Sequence, residues 1–186
     1  LKVINLHQEE KELIALAVEN NRHAQHKIYS LFAPKMLSVC RQYLKDVHLA
    51  EDVMITAFMK VFTNLKAFEH KGSFEGWIRR IMVNECISHI RVQKPVKFTE
   101  DESYFEERFN DIESQLSVDD IQFLIDNLPD GYRMVFNLYA IEGYKHHEIG
   151  KLLGISEGTS KSQLSHARKM LQEQINKLKN YQNGTE

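Results

Sequence analysis

Lys161, Ser162, Ser165, His166, Arg168 and Lys169 crowd one stretch of the C-terminal third. These residue types make the donor set a DNA groove accepts: ammonium and guanidinium groups for phosphates, hydroxyls and imidazole for base edges. Their spacing is read against an apolar repeat on the same segment, where Ser160, Leu164, Ala167 and Leu171 recur every three to four residues and must face inward. Winding the helix on that repeat sets Ser162, His166 and Lys169 opposite Leu164, with Lys161, Gln163, Ser165 and Arg168 on the flanks.

A second set lies further upstream. Arg80, Asn84, Ser88 and Arg91 form a stripe on a helix that starts near Phe74, after the short loop Glu69-His70-Lys71-Gly72-Ser73. Phe68 and Phe74 bracket that loop, and Lys94 and Lys97 follow the helix. Charge for a backbone, a ring to stack on and an amide for base edges are what single-stranded bases need. A third feature is apolar. Between Ala50 and Leu65, the residues Met54, Phe58, Val61, Phe62 and Leu65 make one core stripe, and Ile55, Ala57 and Met59 widen it, either into a small helical core or into a partner surface.

The elements that must hold these groups are helical. Ile149, Leu152 and Leu153 fall on one face of a short helix, Gly154 supplies a turn, and Ser156 is placed to cap the next helix, the order of a helix-turn-helix. Apolar periodicity predicts further helices over about 9–17, 23–43, 50–65, 74–91, 118–128 and 132–142, with no convincing strand. Pro95 ends the first set. The fold class expected is all-α: two small helical domains, 1–95 and 118–186, joined by an acidic linker, 96–117, the C-terminal domain being the helix-turn-helix.

Charge supports that division. The net charge is −2, yet Val96 to Asp120 holds nine acidic residues against Lys97 and Arg108, so the rest of the chain is basic by five. Basic blocks over 66–97 and 145–179 flank the acidic connector.

Other chemistries find little support. Cys40 and Cys86 have no metal-ligand spacing and read as reduced and buried. His146, His147 and Glu148 are adjacent on a helix and point apart, so no metal is expected, nor any cofactor. No phosphate loop, nucleophile elbow or paired-carboxylate constellation is present, which argues against an enzyme and against a small-molecule substrate. No segment is apolar enough to insert in a membrane, and a cytoplasmic location is expected.

The order of parts resembles an extracytoplasmic-function (ECF) sigma factor of the sigma-70 family. The resemblance rests on AEDVMITAFMKVFTNLKAF, then GSFEGWIRRIMVNECISHIR, an acidic linker, and LPDGYRMVFNLYAIEGYKHHEIGKLLGISEGTSKSQLSHARK. It implies a promoter-specificity subunit of bacterial RNA polymerase that directs transcription initiation. Domain 1–95 would be region 2-like, binding the β′ clamp helices through Asp52, Ile55, Thr56 and Met59. Ile55 and Thr56 stand where relatives usually carry Gln and Glu. The same domain would melt and read the minus-ten element through Phe68, His70, Lys71, Ser73, Phe74, Arg80, Asn84, Ser88 and Arg91. Domain 118–186 would be region 4-like, binding the β flap and reading the minus-thirty-five element through Lys161, Ser162, Ser165, His166, Arg168 and Lys169. Relatives often carry Arg at the positions of Lys161 and His166. The acidic linker would run through polymerase channels, and an anti-sigma factor would compete for the apolar arc. The rival reading is a helix-turn-helix transcriptional regulator that binds duplex DNA without polymerase and has no need of Phe68, Trp77, Asn84 or the Gly72 loop.

Overall fold

Short polar side chains set where the helices begin. In the computed structural model, which describes residues 2–93 and 117–183, the helices are α1 (Lys2–Val18), α2 (Arg22–Tyr43), α3 (Val47–Thr63), α4 (Phe74–Gln93), α5 (Val118–Asp126), α6 (Asp130–Phe136), α7 (His146–Leu153) and α8 (Glu157–Asn183). Asn21 accepts the Ala24 N–H at 3.1 Å, Asp46 that of Leu49 at 2.9 Å, Ser73 that of Gly76 at 3.0 Å and Ser156 that of Thr159 at 2.9 Å. At α5 the cap is reciprocal: Ser117 accepts from Asp120 at 3.1 Å and donates its own N–H to the Asp120 carboxylate at 3.0 Å. Each such cap is worth about 1 kcal/mol relative to alanine.

Three expected spans differ. α1 begins seven residues before Glu9, at Lys2, because nothing from Lys2 to Gln8 is Gly or Pro. α3 stops at Thr63, where the Asn64 side-chain amide donates to the Lys60 carbonyl at 2.8 Å and a 3₁₀ turn over Leu65–Ala67 follows. The stretch read as one helix over 132–142 is instead α6 followed by a π turn, Asn137–Ile141, closed by the Glu142 N–H on the Asn137 carbonyl at 3.0 Å.

The chain divides into two compact units, Leu1–Gln93 and Lys94–Glu186. In the first, α2, α3 and α4 pack on one another and α1 lies against α2. Ile28, Met36 and Val39 of α2, Val53, Phe58 and Val61 of α3, and Ile78, Met82 and Ile87 of α4 fill the centre. Tyr29 meets Phe58 edge-on at 4.8 Å between centroids. Cys40 and Cys86 are buried in this core as free thiols, hydrogen-bonded to each other. That bond, and then burial, push the Cys86 thiol up, so it carries no charge at neutral pH.

In the second unit α6 and α7 both pack on α8, and α5 touches it near its far end. Leu128, Met134, Val135, Leu138, Ile149, Leu164 and Ala167 form its core. The expected linker lies outside the described residues except for Ser117, as do Lys94, Pro95 and Lys97. No described helix is long and apolar enough to cross a membrane.

Candidate nucleic-acid interfaces

In the N-terminal unit the loop before α4 turns through two left-handed residues, His70 at φ 57° and Gly72 at φ 96°. A histidine there is uncommon and strained relative to glycine. Lys71 pairs with Glu69 at 2.6 Å, and the Ser73 hydroxyl oxygen is already committed to capping α4. The loop closes over an aromatic cluster. Phe68 lies 5.1 Å from Phe74, 5.5 Å from Trp77 and 4.7 Å from the His70 ring, and Phe74 stacks on Trp77 at 5.9 Å.

This packing corrects two residues. Phe74, named among the minus-ten residues although it also reads as buried in the first turn of its helix, keeps only 1% of its surface in solvent, because as the first residue of α4 it meets Phe32, Phe68 and Trp77. Phe68 keeps 8% and supports the loop from beneath. The aromatic surface that remains reachable belongs to half-buried Trp77 and exposed His70. Trp77 enters the sequence reading as a residue that the rival regulator would not need, but not among the named minus-ten contacts. Its signal was its place one turn after Phe74, which reads equally well as core packing.

Along α4, Arg80, Ser88 and Arg91 are exposed and Asn84 is half-buried. The Asn84 Oδ1 lies buried with no hydrogen-bond partner among the described residues. An amide oxygen left that way costs on the order of 1–3 kcal/mol, which a donor arriving at the site would recover.

On α3 the apolar arc splits. Ala57 goes into the core, whereas Ile55 and Met59 keep 51% and 63% of their surface exposed. Asp52 and Thr56 share that outer stripe, the Thr56 hydroxyl donating to the Asp52 carbonyl at 3.0 Å. Lys60, next on the helix, pairs with Glu85 of α4 and ties the two helices together.

In the C-terminal unit Gly154 ends α7 at φ 71°, a left-handed cap that disfavours any side chain. The turn is close: a Cβ on Gly150 would lie 2.8 Å from the Ile155 carbonyl oxygen. His146, at the start of α7, meets the Ser160 hydroxyl through Nδ1 at 2.9 Å. Its ring stacks on Tyr139 at 4.6 Å, and the Arg168 guanidinium lies over the same tyrosine at 5.5 Å. Burial, then the charges of Lys161 and Arg168, hold the His146 imidazole below its ordinary range. The neighbouring Glu148 carboxylate accepts the Lys145 N–H at 2.8 Å.

The outer face of α8 is narrower than expected. Ser162 is 1% exposed and donates its hydroxyl to the Thr159 carbonyl at 3.0 Å, and Gln163 is equally buried. A helix held by both α6 and α7 buries a wider arc than one apolar stripe, and Ser162, expected on the reading face, lies inside it. His166 is half-buried, its ring stacked on Tyr132 at 5.6 Å with Nε2 turned inside. What remains outward is a stripe of Lys161, Ser165 and Lys169, with Arg168 beside it and Lys151 exposed on α7. Lys161 pairs with Glu157 at 2.8 Å, which holds that carboxyl below its usual range.

The sequence matches two family descriptions, Sigma-70 region 2 over residues 28–96 and Sigma-70 region 4 over residues 119–171. It is 30% identical to the ECF RNA polymerase sigma factor SigW of Bacillus subtilis, over 90% of this chain and 97% of that one. It is 25% identical to the ECF RNA polymerase sigma factor SigM of the same organism, over 81% of this chain and 94% of that one. The chain belongs to the ECF sigma factors of the sigma-70 family, the promoter-specificity subunits with which RNA polymerase initiates transcription.

Proposed function

We propose that the two units divide the promoter between them, the N-terminal unit opening and reading the minus-ten element and the C-terminal unit reading the minus-thirty-five element. The observation that carries this is Asn84, whose buried amide oxygen lacks a partner on a helix that also presents Arg80, Ser88 and Arg91. An unpaired base brings the donor that a closed duplex withholds. Nearer the start of the helix His70 and Trp77, both packed on Phe68, offer rings to a neighbouring base, Lys71 of the same loop adds charge and Ser73 caps the helix. Flipping a base costs on the order of a few kcal/mol, and the pocket returns that energy only after the strand has opened.

In the C-terminal unit Lys161, Ser165, His166, Arg168 and Lys169 carry duplex recognition, with phosphate charge supplied also by Lys151. The exposed stripe of Asp52, Ile55, Thr56 and Met59 suits the β′ clamp helices, and the C-terminal unit the β flap. An anti-sigma factor would compete for Ile55 and Met59. The protein works in the cytoplasm and has no catalytic activity of its own. Run-off transcription on genomic fragments with bacterial core polymerase tests the reading. Specific transcripts should require this protein and weaken with Asn84→Ala. Transcripts that ignore Asn84 would remove the pocket.

A further inference from the structure

The π turn over Asn137–Ile141 is an irregularity of the helical backbone that no cap or loop accounts for. Such turns are rare, and they gather at functional sites. This one lengthens the chain between α6 and α7 by an extra residue, burying Asn137 and Leu138 while leaving Tyr139 half-buried at the edge of the helix-turn-helix. Four side chains from three elements meet there, Tyr139 included. His146 of α7 stacks on the Tyr139 ring at 22° between planes, Ser160 of α8 holds the His146 Nδ1, and Arg168, two turns further along α8, lies over the tyrosine.

We infer that Tyr139 is a positioning residue for DNA recognition, its ring holding the Arg168 guanidinium in the orientation in which it meets a phosphate. A long flexible arginine loses rotamer freedom when it binds, and one already laid on a ring has less to lose. The attraction of the guanidinium to the ring face suits the role because it holds the charge in place without neutralising it. The His146–Ser160 contact keeps the ring from turning away, so the helix-turn-helix is braced through its recognition helix as well as through its turn.

The inference rests on the proposed role of Arg168 as a DNA contact, and its test separates the two. Promoter binding by the holoenzyme is measured across a range of salt for Arg168→Ala, Tyr139→Leu, Tyr139→Phe and the double variant Tyr139→Leu/Arg168→Ala. Loss of one phosphate contact makes the plot of log K against log salt shallower by about 0.9. Arg168→Ala and Tyr139→Leu should each produce that change, the double variant no more than either alone, and Tyr139→Phe none, since the ring and not the hydroxyl does the work. An unchanged slope in Arg168→Ala would overturn both the contact and the positioning. A changed slope in Arg168→Ala with an unchanged one in Tyr139→Leu would overturn the positioning alone. Should Tyr139→Leu fail to fold, nuclear magnetic resonance of the wild-type chain decides. The Arg168 δ and ε protons should be ring-current shifted upfield and stay so in Tyr139→Phe, and ordinary shifts for those protons would overturn the inference.

Discussion

The two candidate interfaces are finished to different degrees. On α8 the charged groups lie on prepared supports, Arg168 over Tyr139 and Lys161 paired with Glu157, while half-buried His166 stacks on Tyr132 with its Nε2 turned inside. On α4 the Asn84 carbonyl oxygen is buried without a partner among the described residues, and the loop that precedes the helix holds His70 in a left-handed conformation. The contrast follows what each surface would meet. Duplex DNA arrives with its shape already formed, so charged groups already held in place lose least on binding it. A base must first be taken out of its stack, and a site left incomplete until the base arrives makes opening and recognition one event.

The sharpest way to break this comparison is Asn84→Ala. An amide reading base edges is worth about 1–3 kcal/mol, so run-off transcription should fall roughly ten- to hundredfold. The thermal midpoint should hold or rise, because the variant removes an unsatisfied buried oxygen. A fall in both would make Asn84 an ordinary structural residue. Next comes Ile55→Glu with Met59→Glu. Burying one such side chain is worth about 1.5–3 kcal/mol. Affinity for core polymerase should therefore fall by tenfold or more, with stability unaltered, since both are solvent-exposed. Co-sedimentation with core polymerase reads it.

Gly154→Ala should unsettle the finished side. A left-handed conformation costs a non-glycine residue about 1–2 kcal/mol, so the C-terminal unit should melt earlier while α4 retains its hydrogen-exchange protection. The smallest effect is on pH. The folded His146 holds its pKa below the ordinary 6.5, so stability from this group is complete above that value and drains away as pH falls through the lowered one. Denaturant melts between neutral and mildly acid pH should show the decline, and His146→Gln should flatten it. A decline unchanged in His146→Gln would place its origin elsewhere.

The all-helical fold was legible in the sequence because its signals are local. Periodicity marked the helices, and Ser156 and Gly154 marked ends that depend on neighbours three or four residues away. The apolar arc that Ile55, Ala57 and Met59 widen was visible, but it fitted a core or a partner surface equally, and only packing could say that Ala57 goes inside while its neighbours stay out. The side of α8 was harder. A helical wheel assumes one buried face, but α8 is clasped by α6 and α7, so Ser162 and Gln163 went in. Phe74 misled for a related reason, since an aromatic beside a binding loop and an aromatic opening a core helix have the same sequence pattern. The π turn left no local signal; it exists in where Asn137 and Leu138 are buried.

On the proposed division the N-terminal unit opens DNA and the C-terminal unit reads it as a duplex. Permanganate reactivity of minus-ten thymines, measured on a promoter saturated with holoenzyme, tests it most directly. Asn84→Ala should bind the promoter yet leave those thymines unreactive, whereas Lys169→Ala should need more protein or less salt to bind and then give full reactivity. Equal loss of reactivity in both variants at saturation, or full reactivity in Asn84→Ala, would contradict the division of labour.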